Sequence, residues 1–188
     1  MIIVLLGASG SGKSLIESKL YHDYGYEKII SYTTRPKREV ETEGIDYYFI
    51  NHNAFNKLQK YDLLAEYDEY SHGRLYGTLK DDYHGDKVVV LTPNGLRQLK
   101  KNFQMDDIFS VFVCANLGTR VKRYVDRCGV SSFDFDDKNE IASRVERDYS
   151  MFLGIENEVD MIVYNNEGTE INDVVANIIG EINKRRNT

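Results

Sequence analysis

The chain has 188 residues, which is the size of one domain with room for a small inserted unit and a substantial core. Its hydrophobic content of 41% and charged content of 29% are typical of a soluble globular protein. The chain has 24 Lys and Arg residues and 30 Asp and Glu residues, so its net charge is −6. This negative charge argues against a general nucleic-acid-binding protein.

Other global features predict where the chain works and what it lacks. No apolar run approaches the roughly 18 residues of a membrane span. A core strand lies directly at the start, so we expect a cytoplasmic protein without a membrane partner. Cys114 and Cys128 are expected to be reduced thiols. The four histidines have no metal-ligand spacing, which predicts that no zinc ion is bound by the protein.

A glycine-rich segment follows the first apolar run, residues 2–6, without an intervening residue. It reads Gly7-Ala8-Ser9-Gly10-Ser11-Gly12-Lys13-Ser14, which is the complete pattern of a phosphate-binding P-loop. The backbone N–H groups of such a loop and the N-terminus of the helix after it form a concave anion site. The segment predicts binding of a nucleoside triphosphate, with Lys13 on the β- and γ-phosphates and Ser14 on a magnesium ion.

Short runs rich in Ile, Val and Leu predict five buried strands, at residues 2–6, 28–31, 87–91, 108–114 and 161–164. Segments with helical spacing separate most of them. One begins at Thr92 as N-cap with Pro93 at the first helical position, and the clearest begins at Ile171. The alternation predicts an α/β protein with the three-layer P-loop fold, in which helices cover both faces of a five-stranded parallel sheet.

Residues 33–83 break this alternation, because they are polar and rich in tyrosine. Strand-like stretches at 46–50 and 63–70 lie around a helix-like stretch at 54–60. This composition predicts a small α+β lobe inserted after the second core strand.

A basic cluster lies where the second strand ends, in Ser31-Tyr32-Thr33-Thr34-Arg35-Pro36-Lys37-Arg38. A charge run by itself is most often a solvated surface. Further along come Gly44-Ile45-Asp46-Tyr47, Glu66 and Tyr76-Gly77-Thr78. With the P-loop, these segments closely resemble guanylate kinases, whose GMP-binding segment reads Ser-x-Thr-Thr-Arg-x-x-Arg, then Glu, then Gly-x-Asp-Tyr. The resemblance runs from residue 2 to about residue 165.

The resemblance implies which residues bind the phosphate of an acceptor nucleotide. By matching position they are Ser31, Arg35, Arg38, Tyr47 and Tyr76. The residue types suit the role, since a guanidinium can hold two phosphate oxygens at once and hydroxyls complete the hydrogen bonding of the others.

Two further positions match residues that read the guanine base in this family. Glu66 matches the glutamate, whose carboxylate can accept both the N1–H and an N2 amino hydrogen of guanine, whereas adenine has no N1–H. Thr78 matches a hydroxyl that donates to the guanine O6. The resemblance therefore implies GMP or dGMP as the small-molecule substrate.

Arginines at helical spacing suggest a lid. Arg120, Arg123 and Arg127 share one helical face, and Arg144 and Arg147 lie on a second helix after the irregular segment 130–137. By position Arg127 and Arg144 match the lid arginines of the family, which approach the transferred phosphoryl group when the lid closes. Surface ion pairs are the alternative interpretation for each. The resemblance also places Asn165 near the adenine of ATP.

One segment departs from the family. Guanylate kinases usually have Asp-x-Asp-x-x-Gly after the inserted lobe, whereas this chain has Val90 and Thr92 at the two acidic positions. In the family, one of these acids contacts the amino group of guanine and the other lies near the metal ion. Thr92 occupies one of these positions, so the sequence does not decide which base is preferred or how magnesium is bound. We expect Thr92→Asp to widen the preference for GMP over IMP.

Together, these features predict a single guanylate-kinase-like domain over residues 1–188. Its core covers 1–32, 84–119 and 156–188, its acceptor-binding lobe 33–83 and its lid 120–155. The predicted reaction is direct phosphoryl transfer from ATP to GMP or dGMP with magnesium. The residues predicted to act on the transferred group are Lys13, Arg35, Arg127 and Arg144. Two alternatives stay open: another nucleoside monophosphate or a phosphorylated sugar as acceptor, and a non-catalytic binding module.

Overall fold

The structure is a computed structural model that describes residues 1–70, 73–103, 107–128 and 135–187. Nine strands are assigned within these ranges: β1 (Ile2–Leu6), β2 (Glu27–Lys28), β3 (Tyr32–Thr33), β4 (Tyr48–Phe49), β5 (Leu64–Tyr70), β6 (Arg74–Leu79), β7 (Lys87–Val90), β8 (Ile108–Cys114) and β9 (Met161–Tyr164). The α-helices in the same ranges are α1 (Lys13–Tyr24), α2 (His52–Lys60), α3 (Pro93–Asn102), α4 (Leu117–Cys128), α5 (Phe135–Phe152) and α6 (Ile171–Arg186).

The core is a five-stranded, wholly parallel sheet in the order β2-β7-β1-β8-β9. Strand β1 lies at its centre, and its side chains alternate between two buried clusters. Ile3 and Leu5 face one side, while Val4 and Leu6 face the other. Both faces of a parallel sheet are covered in this way, so its strands read as continuous apolar runs. The predicted α/β fold is confirmed.

Helices α1 and α6 cover one face of this sheet and α3 covers the other. Ile16 of α1 and Ile178 of α6 lie fully buried in the first cluster. Leu96 and Leu99 of α3 belong to the second cluster. Helix α3 begins as predicted, with Pro93 in its first turn and the Thr92 hydroxyl accepting a hydrogen bond from the N–H of Gly95.

A second, mixed sheet contains four strands in the order β4-β3-β6-β5. Strands β3 and β4 are parallel, and the other two pairs are antiparallel. The predicted second core strand, residues 28–31, is wrong in extent. Strand β2 ends at Lys28, the N–H of Ile29 donates once more to the Val88 carbonyl, and the chain then leaves for the second sheet as β3.

Within the described ranges, no helix combines the length and the apolar character that crossing a bilayer requires.

Candidate active site

The P-loop joins β1 to α1 with a backbone that glycine makes possible. Gly10 and Gly12 have φ of 79° and 100°, in the left-handed region that other residues rarely adopt. Space is limiting as well, because a Cβ on Gly12 would stand 2.1 Å from the side-chain nitrogen of Asn165. The loop therefore has the close-packed, glycine-dependent geometry that its sequence predicts.

Two side chains, Asn165 after β9 and Arg123 on α4, hydrogen-bond to backbone carbonyls of this loop. Nδ2 of buried Asn165 donates to the Ser11 carbonyl at 2.9 Å. The guanidinium of Arg123 donates to the Gly10 carbonyl at 3.1 Å and to Oδ1 of Asn165 at 3.3 Å. Ser11 itself is fully buried. Asn165 thus supports the loop, and its contact with adenine stays a prediction.

On the open side of the loop, two charged side chains hydrogen-bond to its backbone. Nζ of Lys13 donates to the carbonyls of Gly7 at 2.6 Å and Ala8 at 3.1 Å. Oδ2 of Asp148 accepts from the N–H of Ser9 at 2.9 Å and from Arg120 at 2.6 Å. Sequence reasoning missed Asp148. Its position four residues after Arg144, on the same face of α5, was the available signal.

A cleft of about 270 Å³ extends from the P-loop to the second sheet. It brings together predicted residues from both parts of the chain. Those in its lining are Gly7, Ser9, Lys13, Ser31, Arg38, Tyr47, Glu66, Tyr76, Thr92 and Arg144. Asp68 and Asp148, which were not predicted, line it too.

The two arginines of the basic cluster occupy different environments. Arg35 is 7% exposed, and its two terminal nitrogens lie 2.9 and 2.7 Å from the carboxylate oxygens of Glu41. Its guanidinium carbon also lies 5.4 Å from the ring centre of Tyr47. The Arg38 side chain is 57% exposed, and it lines the cleft. Arg38 is therefore accessible to an acceptor phosphate, whereas Arg35 pairs with Glu41 and is not among the described residues that line the cleft.

Two tyrosines, Tyr47 and Tyr76, line the same cleft as Arg38. The rings of Tyr47 and Tyr76 meet edge to face with their centres 5.8 Å apart. Burial and the neighbouring Tyr76 raise the pKa of Tyr47 to about 12. The Tyr47 phenol therefore stays protonated at neutral pH and can donate a hydrogen bond to an anion.

A buried carboxyl group, Glu66, lines the far end of the cleft. It is 4% exposed, and its Oε1 accepts from the Thr78 hydroxyl at 2.8 Å. The same hydroxyl lies 2.7 Å from the Tyr83 hydroxyl. Burial and, to a smaller extent, the charge of Asp68 raise the pKa of Glu66 while the hydrogen bond from Thr78 lowers it, and the net pKa is about 7. A ligand that donates hydrogen bonds would favour the ionised form.

Asp68 lies beside Glu66 and touches the residue that replaces the second family acid. Its Oδ2 accepts from the Thr92 hydroxyl at 2.6 Å, and its Oδ1 accepts from Nδ2 of Asn94 at 3.2 Å. Residues two apart in a strand share one face, so the spacing from Glu66 could have revealed Asp68. The contact of Thr92 with the base stays a prediction.

Helix α3 holds the edge strand β5 and so positions both acids. The Gln98 side chain exchanges hydrogen bonds with the backbone of Tyr67, at 3.2 and 2.7 Å. Nδ2 of Asn102 donates to the Ala65 carbonyl at 3.0 Å. A Cβ on Gly95 would stand only 2.7 Å from Oε2 of Glu66. The N-terminus of α3 therefore lies directly against the acidic end of the cleft, where its dipole favours negative charge.

The predicted lid arginines differ in what the structure shows of them. Arg144 lines the cleft, and its guanidinium carbon lies 5.2 Å from the Tyr124 ring centre on α4. The side chain of Arg127 and the segment 129–134 lie outside the described residues. Arg120 and Arg123 bind the P-loop region from outside the cleft lining.

Ser14, the residue predicted to contact magnesium, is exposed in the first turn of α1. Within the described part of the chain, no group of three or more His, Cys, Asp or Glu side chains is placed to hold a metal ion. The magnesium contact of Ser14 stays a prediction.

The P-loop borders a cleft whose other side is formed by residues of the second sheet. This arrangement is typical of P-loop phosphotransferases, in which an acceptor binds next to the triphosphate. The chain belongs to the guanylate kinase family, because the family model described as guanylate kinase matches residues 1–182. It is therefore a nucleoside monophosphate kinase.

Relatives in sequence and in structure agree with this assignment. A guanylate kinase of Malacoplasma penetrans (strain HF-2) is 28% identical over 188 residues, which cover 96% of this chain and 92% of that protein. The crystal structure of guanylate kinase from Anaplasma phagocytophilum superposes with a TM-score of 0.70 at 20% identity, covering 98% of this chain and 85% of that one. An uncharacterized protein from Eubacterium ventriosum ATCC 27560 superposes with a TM-score of 0.55 at 17% identity, covering 97% and 98%. These two structural likenesses concern the fold alone.

Proposed function

We propose that this nucleoside monophosphate kinase transfers the γ-phosphoryl group of ATP directly to GMP or dGMP, with magnesium. The observation that carries the proposal is the buried carboxyl group of Glu66 in the cleft lining, fixed by the Thr78 hydroxyl at 2.8 Å. Its two oxygens suit the N1–H and N2 amino hydrogens of guanine. Adenine has no N1–H, so AMP would leave a buried carboxylate without its donor.

The phosphate of the acceptor fits the opposite end of the cleft. Arg38 offers an exposed guanidinium, and Tyr47 and Tyr76 offer phenol groups in the same lining. Ser31 lies there too. Arg35 would act mainly through Glu41 and Tyr47, which it holds in place at 2.7 Å and 5.4 Å.

The donor side rests on the P-loop and on the helices beside it. Lys13 follows the loop and lines the cleft, so its ammonium group can move from the Gly7 carbonyl to the β- and γ-phosphates. We propose α4 and α5 as the lid that carries Arg127 and Arg144 toward the transferred group. The exposed hydroxyl of Ser14 would hold magnesium. When bound, magnesium neutralises developing phosphate charge.

Two alternatives compete with this proposal. Phosphate-binding residues would serve any nucleoside monophosphate or a phosphorylated sugar, so only the residues at the Glu66 end favour guanine. A non-catalytic module, like the guanylate-kinase-like domains of scaffold proteins, is disfavoured because such domains typically lose the P-loop, and Gly12, Lys13 and Ser14 are intact here. A cytoplasmic location stays a prediction.

The test is ADP release measured with GMP, dGMP, AMP, CMP, UMP, IMP and a sugar phosphate as acceptors. We expect GMP and dGMP to be used best and AMP to be rejected. Lys13→Ala is the control, which should fold and lose transfer because Nζ of the lysine contacts the P-loop carbonyls of Gly7 and Ala8 and not the hydrophobic core. Efficient use of a pyrimidine nucleotide or a sugar phosphate, with none of GMP, would contradict the proposal, and no turnover with any acceptor would favour the binding module.

A further inference from the structure

Asp68 is a second carboxylate in the lining of the cleft that holds Glu66. The two residues are two apart in β5, so their side chains lie on the same face of the strand. They pair with different residues of β6, Glu66 with Thr78 and Asp68 with Tyr76. Asp68 thus lies two pairs along the strand from the carboxylate proposed to read the base, on the same face and in the same cleft lining.

The carboxylate of Asp68 is held in one orientation by three donors. The Thr92 hydroxyl donates to Oδ2 at 2.6 Å, while the Asn94 side chain and the N–H of Glu69 donate to Oδ1 at 3.2 and 3.0 Å. An ionised carboxylate has about four acceptor sites, so roughly one is left for a ligand. Thr92 and Asn94 lie at the start of α3, so these two donors reach Asp68 from the N-terminal end of that helix.

Thr92 has no proton left for a base in this arrangement. Its hydroxyl carries one hydrogen, which is donated to Asp68, and its oxygen accepts from the N–H of Gly95. The neighbouring lining residues Val90 and Leu91 carry no side-chain acceptor. Asp68 is therefore the acceptor that this part of the wall presents to the cleft.

The guanine edge has more donors than one carboxylate can face, because a bidentate carboxylate takes the N1–H and one amino hydrogen while the second amino hydrogen points away from it. The edge carries one N1–H and two N2 amino hydrogens, and Oε1 of Glu66 already accepts from Thr78. A second acceptor beside Glu66 would take the remaining amino hydrogen. Hypoxanthine, the base of IMP, lacks that amino group but keeps the N1–H and O6.

We propose that Asp68, oriented by Thr92, accepts a hydrogen bond from the exocyclic amino group of the acceptor guanine and so sets the preference for GMP over IMP. This inference rests on the proposed function, because it assigns a role within the same acceptor site. Asp68 on β5 would accept the hydrogen bond from the amino group, and Thr92 would hold the Asp68 carboxylate in the orientation that this contact needs.

The test compares kcat/KM for GMP, dGMP and IMP in the wild type and in Asp68→Ala. We expect the variant to lose about tenfold or more with GMP and dGMP and at most about threefold with IMP, the difference expected for one hydrogen bond to a charged group. Glu69→Ala is the matched control, because it removes the same charge from an exposed neighbouring position. It should leave all three values near those of the wild type.

Other outcomes would overturn the inference. Equal losses for GMP and IMP would give Asp68 a purely structural role, and a changed ratio of GMP to dGMP alone would place it on the ribose. Dissociation constants for GMP and IMP, measured by calorimetry on Asp68→Asn, provide a second readout that does not depend on turnover. An unchanged ratio of these constants contradicts the inference as well. Failure of the proposed function is seen separately, as absence of GMP turnover in the wild type.

Discussion

The carboxylate of Asp148 accepts a hydrogen bond from the backbone N–H of Ser9 at 2.9 Å, inside the P-loop. Asp148 is 2% exposed, and the same oxygen pairs with Arg120 at 2.6 Å. Asp148 thus accepts the hydrogen bond that the N–H of Ser9 would otherwise donate to a phosphate oxygen of a bound nucleotide. Binding of a triphosphate at Ser9 therefore requires Asp148 to give up this contact.

We expect Asp148→Asn to bind ATP more tightly than the wild type. Two like unit charges about 4 Å apart repel by ~1 kcal/mol even in water, which corresponds to about fivefold in the dissociation constant. Calorimetric titration with ATP measures the change. Glu146→Gln, at an exposed position of the same helix, is the control and should have no effect. Weaker ATP binding by Asp148→Asn would instead mean that its pairing with Arg120 shapes the binding-competent loop.

Arg35 and Arg38 should respond differently to truncation. Arg38→Ala should weaken the binding of GMP by roughly ten- to a hundredfold, because one charged contact worth ~1.5–3 kcal/mol is lost. The same substitution should barely change the free energy of unfolding, since the Arg38 side chain is 57% exposed. Arg35→Ala removes the nearer of the two guanidinium groups that contact Glu41, which is 10% exposed, and should cost about 3 kcal/mol of stability.

Steady-state kinetics and urea unfolding of both variants separate these effects. The double variant Arg35→Ala/Glu41→Ala is the control, because removing both charges should restore part of the lost stability. Equal loss of stability in Arg35→Ala and Arg38→Ala would contradict the assigned difference in environment.

Glu66 should make the free energy of unfolding fall as pH rises from about 4.5 to about 7. Its pKa is about 7 in the folded protein against an ordinary value of 4.5, because burial and the charge of Asp68 outweigh the hydrogen bond from Thr78. Between these pH values the folded state holds a proton that the unfolded chain has lost. The free energy of unfolding should drop by up to about 3 kcal/mol across this window.

Urea unfolding of the wild type and Glu66→Gln at pH 5 and pH 8 tests this sign. The glutamine can still accept from Thr78 and does not titrate, so the variant should show a smaller fall in stability between pH 5 and pH 8; Glu17, whose pKa burial also raises, contributes equally in both proteins. Glu41, Asp86 and Asp160 have lowered pKa values and contribute in the opposite direction, but in the acid range below their ordinary values. Parallel pH dependence in the two proteins would show that Glu66 is not the group responsible.

The structure reverses the expectation for Thr92→Asp. An aspartate there would bring a second carboxylate against Asp68, whose Oδ2 lies 2.6 Å from the Thr92 hydroxyl. We now expect lower kcat/KM for GMP and no wider preference over IMP, because like charges at this distance repel. Thr92→Ser keeps the hydroxyl and should behave like the wild type. A wider preference in Thr92→Asp would restore the original expectation.

Local patterns predicted the parts of the site that local chemistry determines. The P-loop was predicted because Gly7 to Ser14 carry their geometry in their own residue types, and the buried strands were predicted because both faces of a parallel sheet are apolar. The second core strand was placed too long, since pairing of β3 with β6 draws the chain away after Ile29. That pairing joins residues more than 40 positions apart and leaves no local signal.

The two missed acids differ in how visible they were. Asp68 shares a strand face with Glu66, so alternation alone placed it beside the predicted base-reading residue. Asp148 meets Ser9 across 139 residues of sequence, a contact that depends on how α5 packs over the P-loop. Spacing relative to Arg144 indicated its helix face but not its partner.

The most direct test of guanine recognition is a competition experiment. ATP labelled in its γ-phosphoryl group is mixed with the enzyme, magnesium and equal concentrations of GMP, IMP, AMP and CMP, and the labelled diphosphates are separated at low conversion. Because the acceptors compete, the product ratios equal the ratios of kcat/KM. We predict that label enters GDP first, IDP at about one tenth or less of that amount, and neither ADP nor CDP detectably. Label distributed evenly among the four products, or found mainly in CDP or ADP, would contradict the assignment of Glu66 to the guanine edge.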